Sequence, residues 1–420
     1  MQKGNTPPPN ETADLIFARI NSSAKRKNPS RYTYVIGNNG TGKSRILGAL
    51  AERFKKTRSE RIVACIASTI HDRFVHGDHE TVRYMGARSS SNAVFLSAID
   101  RQLAKYILQA MQIDRRLFRH LSESVNMTLS FSIEEKSIDM IQSSSDKNTR
   151  DSERITKRAI GLGLLSPRSL AMLRRIASGS GQFERLTEAQ IPMLLNYLEL
   201  NLDFKVRIKF GETGWIDFGA LSTGEQNRLL LFAKIVSVLQ EGTIYLVDEP
   251  EISMHLHWQM DFHKTLDGLI SMLERSHVVI ATHSPIIISE AVKFDPNSLG
   301  NMVAVLRREC DLNNDEKHIQ PGFGQISCRI HSFSEVASHD QLVLRYFQTS
   351  PYQAREVSVE IADTVLGLVE GEKNKSEAIT LLSELLTVVG LSPEAEQQIN
   401  SALDLVRKNL AASIKLKDAT

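Results

Sequence analysis

Eight consecutive residues, Gly37, Asn38, Asn39, Gly40, Thr41, Gly42, Lys43 and Ser44, have the types and spacing to hold phosphate. Glycine at the first and sixth positions lets backbone amides turn inward and meet anionic oxygens without a Cβ in the way. Lysine and a hydroxyl residue close the pattern G-x-x-x-x-G-K-[ST]. In it Lys43 would reach the β- and γ-phosphates of a nucleotide and Ser44 would hold Mg²⁺. A second pair of reactive side chains, Asp248 and Glu249, ends the apolar run "TIYLV". Acids at the carboxyl edge of a parallel sheet sit where α/β proteins bind ligands. Asp248 would hold Mg²⁺ through water, and Glu249 would orient and polarise the attacking water. ATP and Mg²⁺ are the cofactors these residues imply.

Such residues need elements to position them. "RYTYVIG" reads as a strand entering the glycine turn. "SRILGALAERFKK" follows it with Ile46, Leu47, Leu50 and Phe54 at helical spacing, and "RIVACIAST" is a second β-rich run. Strand, loop, helix and strand make a βαβ unit and predict a parallel sheet. "TIYLVDEPE" and "HVVIATHSPIII" are near-continuous apolar runs, as strands covered on both faces require. "LNLDFKVRIKF" instead alternates with a period of two, a strand with one buried face, and "GETG" turns it into a hairpin with "WIDFGAL". Residues 1–12 read as a flexible polar arm, and 142–153 as a flexible loop. "NMVAVLRR" and "QISCRIHSF" read as a late hairpin, followed by a mostly helical end. The expected segments are 1–84 and 200–335 for the two parts of a nucleotide-binding domain. A helical insertion at 85–199 and a helical tail at 336–420 complete the chain.

The chain has 420 residues and a formal net charge of +2, so any nucleic-acid surface must be a local patch. Three widely spaced cysteines, Cys65, Cys310 and Cys328, form no C-x-x-C pair. With no signal-peptide core and no run long enough to span a membrane, a soluble cytoplasmic protein without membrane contact is expected.

"LSTGEQ", from Leu221 to Gln226, resembles the signature of ABC-type ATPases, with Thr223 in place of a glycine and Glu225 before Gln226 as in many non-transporter members. The resemblance implies that two nucleotide domains pair head to tail. Ser222, Gly224, Glu225 and the helix start would then meet the γ-phosphate held on the partner's Lys43. His283, in "VVIATHSP", looks like the switch histidine that senses the γ-phosphate. "VDEPEISMHLHWQ" is similar to the DEPE…LHP..Q stretch of RecF-, SMC- and OLD-like ATPases, with Leu256 where proline is frequent. "HDRFVHGDHETVRYMGAR" and "SFSEVASHDQLVLRYF" are similar to ATPases of bacterial anti-phage systems, the Septu-type and retron-associated ones among them. The class resemblance covers roughly 30–84 and 200–335. It implies an α/β P-loop NTPase of ABC type with a mostly parallel sheet. The chain would form a homodimer or higher oligomer. It would control a partner effector, a nuclease docked on the insertion or the tail, in anti-phage defence, with DNA or RNA as a further contact. The sequence departs from the class in lacking a Q-loop glutamine after the second strand; Gln102 and Gln109 come later, on an expected helix. Tyr32 and Tyr34 are candidates for stacking on the base, with core packing as the competing role.

Other signals are weaker. "LGLVEGEKNK" resembles the first acidic motif of a Toprim nuclease, with Glu370 as metal ligand, yet no D-x-D follows, and a helical docking tail fits the segment better. His71, His76 and His79 with Asp72 and Asp78 are spaced too loosely to define a zinc site. His255, His257 and His263 read as loop and interface residues. Basic clusters at Lys25–Lys27, at Lys55, Lys56, Arg58 and Arg61, and at Arg115, Arg116 and Arg119 fit solvated faces or nucleic-acid contact. Two other functions stay open: a repair or recombination ATPase that clamps DNA itself, and the ATPase subunit of a transporter.

Overall fold

The computed structural model describes residues 9–23, 31–57, 60–69, 71–75, 79–86, 96–143, 150–179, 181–211, 214–271, 273, 275–296, 298, 300–309, 325–336, 354–388, 391 and 393–417. The chain divides into two units, Pro9–Thr33 with Ser44–Ala281, and Tyr34–Lys43 with Thr282–Thr420.

The first unit begins with a helix, α1 (Pro9–Ser23). Proline is tolerated at a first helical position, and Ala13, Ile16 and Ile20 bury one stripe, so the expected flexible arm is helical from Pro9. β1 (Tyr32–Gly37) leads to the glycine turn, and α2 (Lys43–Lys56) leaves it with Ile46, Leu47, Leu50 and Phe54 buried. β2 (Val63–Ala67) and β3 (Val82–Met85) come next. Then follow α3 (Leu96–Ile113), α4 (Arg115–Val125), β4 (Thr128–Ser132) and α5 (Glu135–Ser143). α6 (Arg150–Gly161), α7 (Pro167–Ala177), β5 (Gly181–Gln182) and α8 (Gln190–Leu198) complete the middle of the chain. Of the loop expected at 142–153, residues 144–149 lie outside the described residues, and helices reach it from both sides.

β4, β5, β6 (Lys205–Lys209) and β7 (Ile216–Asp217) form an antiparallel sheet in the order β5-β4-β6-β7. Val206 and Ile208 are buried while Lys205 and Arg207 are exposed, the period of two that the sequence carries. Phe131 stacks on Phe204 at 5.2 Å between ring centroids and meets Phe183 at 4.7 Å, so this sheet has an aromatic core of its own.

The main sheet has seven strands in the order β11-β10-β1-β9-β8-β2-β3. It is completed by β8 (Ile244–Asp248), β9 (His277–Thr282), β10 (Met302–Glu309) and β11 (Gln325–Ser332). β9, β8, β2 and β3 run parallel, and β10 and β11 form the expected antiparallel hairpin. In register, Asp248 lies opposite Ala67 of β2 and Ala281 of β9, at the carboxyl ends of all three strands. α9 (Thr223–Val236), α10 (Leu256–Ile270) and α11 (Pro285–Phe294) follow the turn after β7, β8 and β9 respectively. α9 is buried continuously from Leu231 to Val236 and packs on α3 and α4.

In the second unit, helices Ala354–Val369, Lys375–Leu386 and Pro393–Lys417 share a core of Val357, Leu382, Leu385, Ile399 and Leu403. A half-buried ion pair, Arg307 to Glu384 at 3.0 Å, ties Lys375–Leu386 to β10. No helix among the described residues is long and apolar enough to cross a membrane.

Candidate nucleotide site

β1 is buried along its whole length and delivers Gly37 at φ +154°. A Cβ at Gly37 would lie 2.6 Å from the Leu306 carbonyl and 2.8 Å from the Thr41 hydroxyl, so the strand can turn here only as glycine. Gly40 and Gly42 also have positive φ, and a Cβ on Gly42 would point into open space. The loop thus keeps one face clear for an approaching oxygen. Thr41 closes the turn by donating from its amide (3.3 Å) and hydroxyl (2.8 Å) to the Asn38 carbonyl. Asn38, Asn39 and Gly40 are exposed. Lys43 is buried, with its ammonium donating to the carbonyls of Gly37 (2.8 Å) and Asn38 (3.3 Å). That geometry fixes a cation within the loop, next to the amides at the start of α2. An anion fits there electrostatically.

Ser44 donates its hydroxyl to Asp248 Oδ1 at 3.1 Å, joining the start of α2 to the end of β8. Asp248 is 3% exposed. Burial pushes its carboxyl up to about 7; the Ser44 hydrogen bond opposes that, and the charges of Glu249, Asp72 and Glu251 add to it. The charges of those neighbouring acids favour a cation beside Asp248. Among the described residues no three His, Cys, Asp or Glu side chains form a metal cage. A hydroxyl and a single carboxylate instead fit Mg²⁺, which keeps waters and takes its other ligands from phosphate. Glu249 departs from strand geometry at φ +49° while its amide still donates to the Ala281 carbonyl at 2.9 Å. A left-handed backbone at a non-glycine residue is uncommon and clusters at functional sites.

Ser222 caps α9. It accepts from the Glu225 amide at 3.3 Å, and Glu225 Oε2 accepts in return from the Ser222 amide (2.8 Å) and hydroxyl (2.7 Å). Ser222 and Thr223 are exposed at a positive helix end. Gly224 is buried: a Cβ there would sit 2.3 Å from the Ser253 carbonyl and 3.2 Å from the Trp258 ring. Gln226 serves the fold, its amide donating to the carbonyls of Phe218, Gly219 and Leu221. The Arg228 guanidinium lies over Trp258, 5.5 Å from the ring centroid.

The match to known families covers residues 33–289, more than half of the chain, and is to the family described as "AAA domain, putative AbiEii toxin, Type IV TA system". The chain belongs to that AAA-domain family. Its fold is that of an α/β P-loop NTPase. No curated protein matches the chain. Among solved structures, it is similar to the Smc head domain with an extended coiled coil, bound to the C-terminal domain of ScpA, from Pyrococcus furiosus. The identity is 11%, covering 71% of this chain and 90% of that one, with a TM-score of 0.27. At that TM-score the likeness carries no argument.

In this AAA-domain chain, His283 is exposed between β9 and α11, where Ser284 caps the helix by accepting from the Ile287 amide at 3.4 Å. Tyr32 and Tyr34 are buried; the Tyr32 hydroxyl donates to Asp267 at 2.8 Å, so both rings belong to the core. Gln102 and Gln109 lie on α3, and Glu370 is exposed in the turn after Ala354–Val369. His76 and Asp78 lie outside the described residues.

Two buried charged residues, Asp72 and Lys234, carry little signal in the sequence. Asp72, considered there only as a loose partner of histidines, is buried. It accepts from the Phe74 amide (3.1 Å) and the Tyr84 hydroxyl (2.8 Å). Lys234, inside the apolar run "LLLFAKIVSVL", donates to the Ala67 carbonyl at 3.3 Å. Burial lowers its ammonium to about 8. A charged residue inside so apolar a helix was the available signal.

Proposed function

We propose that the chain is a Mg²⁺-dependent ATPase of the ABC type that works as a head-to-tail pair and controls an effector protein. The observation that carries the reading is the Ser44–Asp248 hydrogen bond. It brings the hydroxyl of the phosphate loop to Asp248, a deeply buried carboxyl at the sheet's edge amid further acids. Gly37–Ser44 would hold the phosphates of ATP, and Ser44 with Asp248 would hold the metal. When bound, Mg²⁺ would neutralise charge developing on the phosphoryl oxygens. Glu249 would orient the attacking water, and Lys43 would stabilise the γ-phosphoryl charge. His283 would respond to the γ-phosphate. Exposed Ser222, at a helix start braced by Glu225 and seated by buried Gly224, would complete the pocket of a second copy. Hydrolysis would then be tied to opening and closing of the pair. The helical tail 354–417 and the segment 85–199 are the surfaces on which a partner would dock. An anti-phage role with a nuclease effector rests on the sequence resemblance. The toxin–antitoxin wording of the family description supports a chain that acts with a partner.

The test is Glu249→Gln. ATP turnover should fall by about a hundredfold or more while ATP binding is kept, and a nucleotide-bound dimer should accumulate. Unchanged turnover would remove Glu249 from the role. The alternative, a repair ATPase that clamps DNA, is favoured by the exposed row Arg115, Arg116 and Arg119 on α4. Strong, salt-dependent DNA binding by the ATP-bound protein alone would select it.

A further inference from the structure

We propose that the cavity between α3 and α9 binds a small phosphorylated molecule of nucleotide size, at a site separate from Gly37–Ser44. The cavity has a volume of about 750 Å³ and opens at the carboxyl ends of β2 and β3. That is the size of a ligand pocket and the edge at which parallel sheets bind ligands. Its charge is one-sided: Arg83, Arg101, Lys105, Arg158 and Lys234 line it against a single carboxylate, Glu199. Glu199 holds Lys105 at 3.1 Å and Arg158 at 3.0 Å, and so fixes two of the cations in place. Tyr84, Tyr106 and Leu231 add flat and apolar wall, against which a base or similar ring could lie.

Lys234 separates this cavity from an ordinary basic surface. It is 7% exposed, and the Ala67 carbonyl takes one of its three donors. The charge of buried Asp72 favours that ammonium, and a phosphate entering the cavity would give its remaining donors an acceptor. No residue of the phosphate loop lines the cavity, and neither does Asp248 or Glu249. Occupancy of the cavity is therefore independent of the roles given to them. Lys234 lies in the cavity wall with only 7% exposure, which favours a small ligand over a duplex lying on the surface. α9 is the wall that carries Lys234, and Ser222 is its N-cap. An occupant would therefore act on the same helix that is proposed to complete a second copy's pocket.

The experiment is calorimetric titration of the full-length protein with ATP and, separately, with inorganic pyrophosphate. Two binding events per chain are expected. Lys43→Ala should weaken one and leave the other, and Lys234→Met should do the reverse, by about tenfold or more. Arg101→Gln combined with Lys105→Gln, at positions less deeply buried, should repeat the Lys234→Met result should that variant not fold. A single event, or one event weakened by both Lys43→Ala and Lys234→Met, would overturn the proposal. So would displacement of pyrophosphate from the second site by a short single-stranded oligonucleotide, which would assign the cavity to nucleic acid.

Discussion

Asp100 shows how far one residue's surroundings set its chemistry. Its carboxylate accepts from the Val206 amide at 2.7 Å, joining α3 to β6. Burial nevertheless pushes its carboxyl up to about 6. The folded protein therefore binds this proton more tightly than the unfolded chain does. Stability from Asp100 should be lost as pH rises from about 4 to about 6, by on the order of 1–3 kcal/mol, and stay lost above that. Asp100→Asn keeps an acceptor for Val206 and removes the titration. Urea unfolding at pH 4 and pH 7.5 should show a smaller drop in the variant than in the parent. An equal drop would place the titration elsewhere. At the same scale the glycine turn after β1 is legible in the sequence. Gly37, Gly42, Lys43 and Ser44 owe their places to φ angles and to hydrogen bonds within a few residues, and local sequence specifies both. Asp72 was not legible. It lies in an irregular segment, and its burial depends on Tyr84, twelve residues away.

At the scale of elements, the start of α9 is pinned where Gly224 touches the loop after β8. Gly224→Ala would press a methyl into the Ser253 carbonyl and the Trp258 ring. Ser253 has φ +63°, so that loop has little freedom to retreat. The variant should lose about 1–3 kcal/mol and shift Ser222 away from its place. Thermal unfolding checks the first effect and ATPase activity the second; a variant matching the parent in both would contradict this packing. β1, β8 and β9 could be read from sequence because strands covered on both faces are continuous apolar runs. β4 and β5 could not. Thr128–Ser132 is short, and Gly181–Gln182 has two residues; both become strands only by pairing within a sheet whose partners come from residues up to 217. The start of α1 is hidden because residues 1–12 are polar and proline-rich, while its buried stripe, Ala13, Ile16 and Ile20, lies just beyond.

At the scale of the whole molecule, activity turns on whether one chain's pocket needs another chain. Ser222 is exposed at the end of α9 with its capping hydrogen bonds made, so the chain folds the motif without using it locally. A head-to-tail pair would put it to use, and every closed pair would contain two identical pockets. Lys43→Ala should silence the pocket on its own chain, and Ser222→Arg the pocket on the partner. Each variant alone should therefore be inactive. The deciding measurement is ATP hydrolysis by an equal mixture of the two. Random pairing makes half of the dimers mixed, each with one intact pocket, so activity should recover to about a quarter of the parent's. A mixture no more active than the two variants measured separately would contradict the shared pocket.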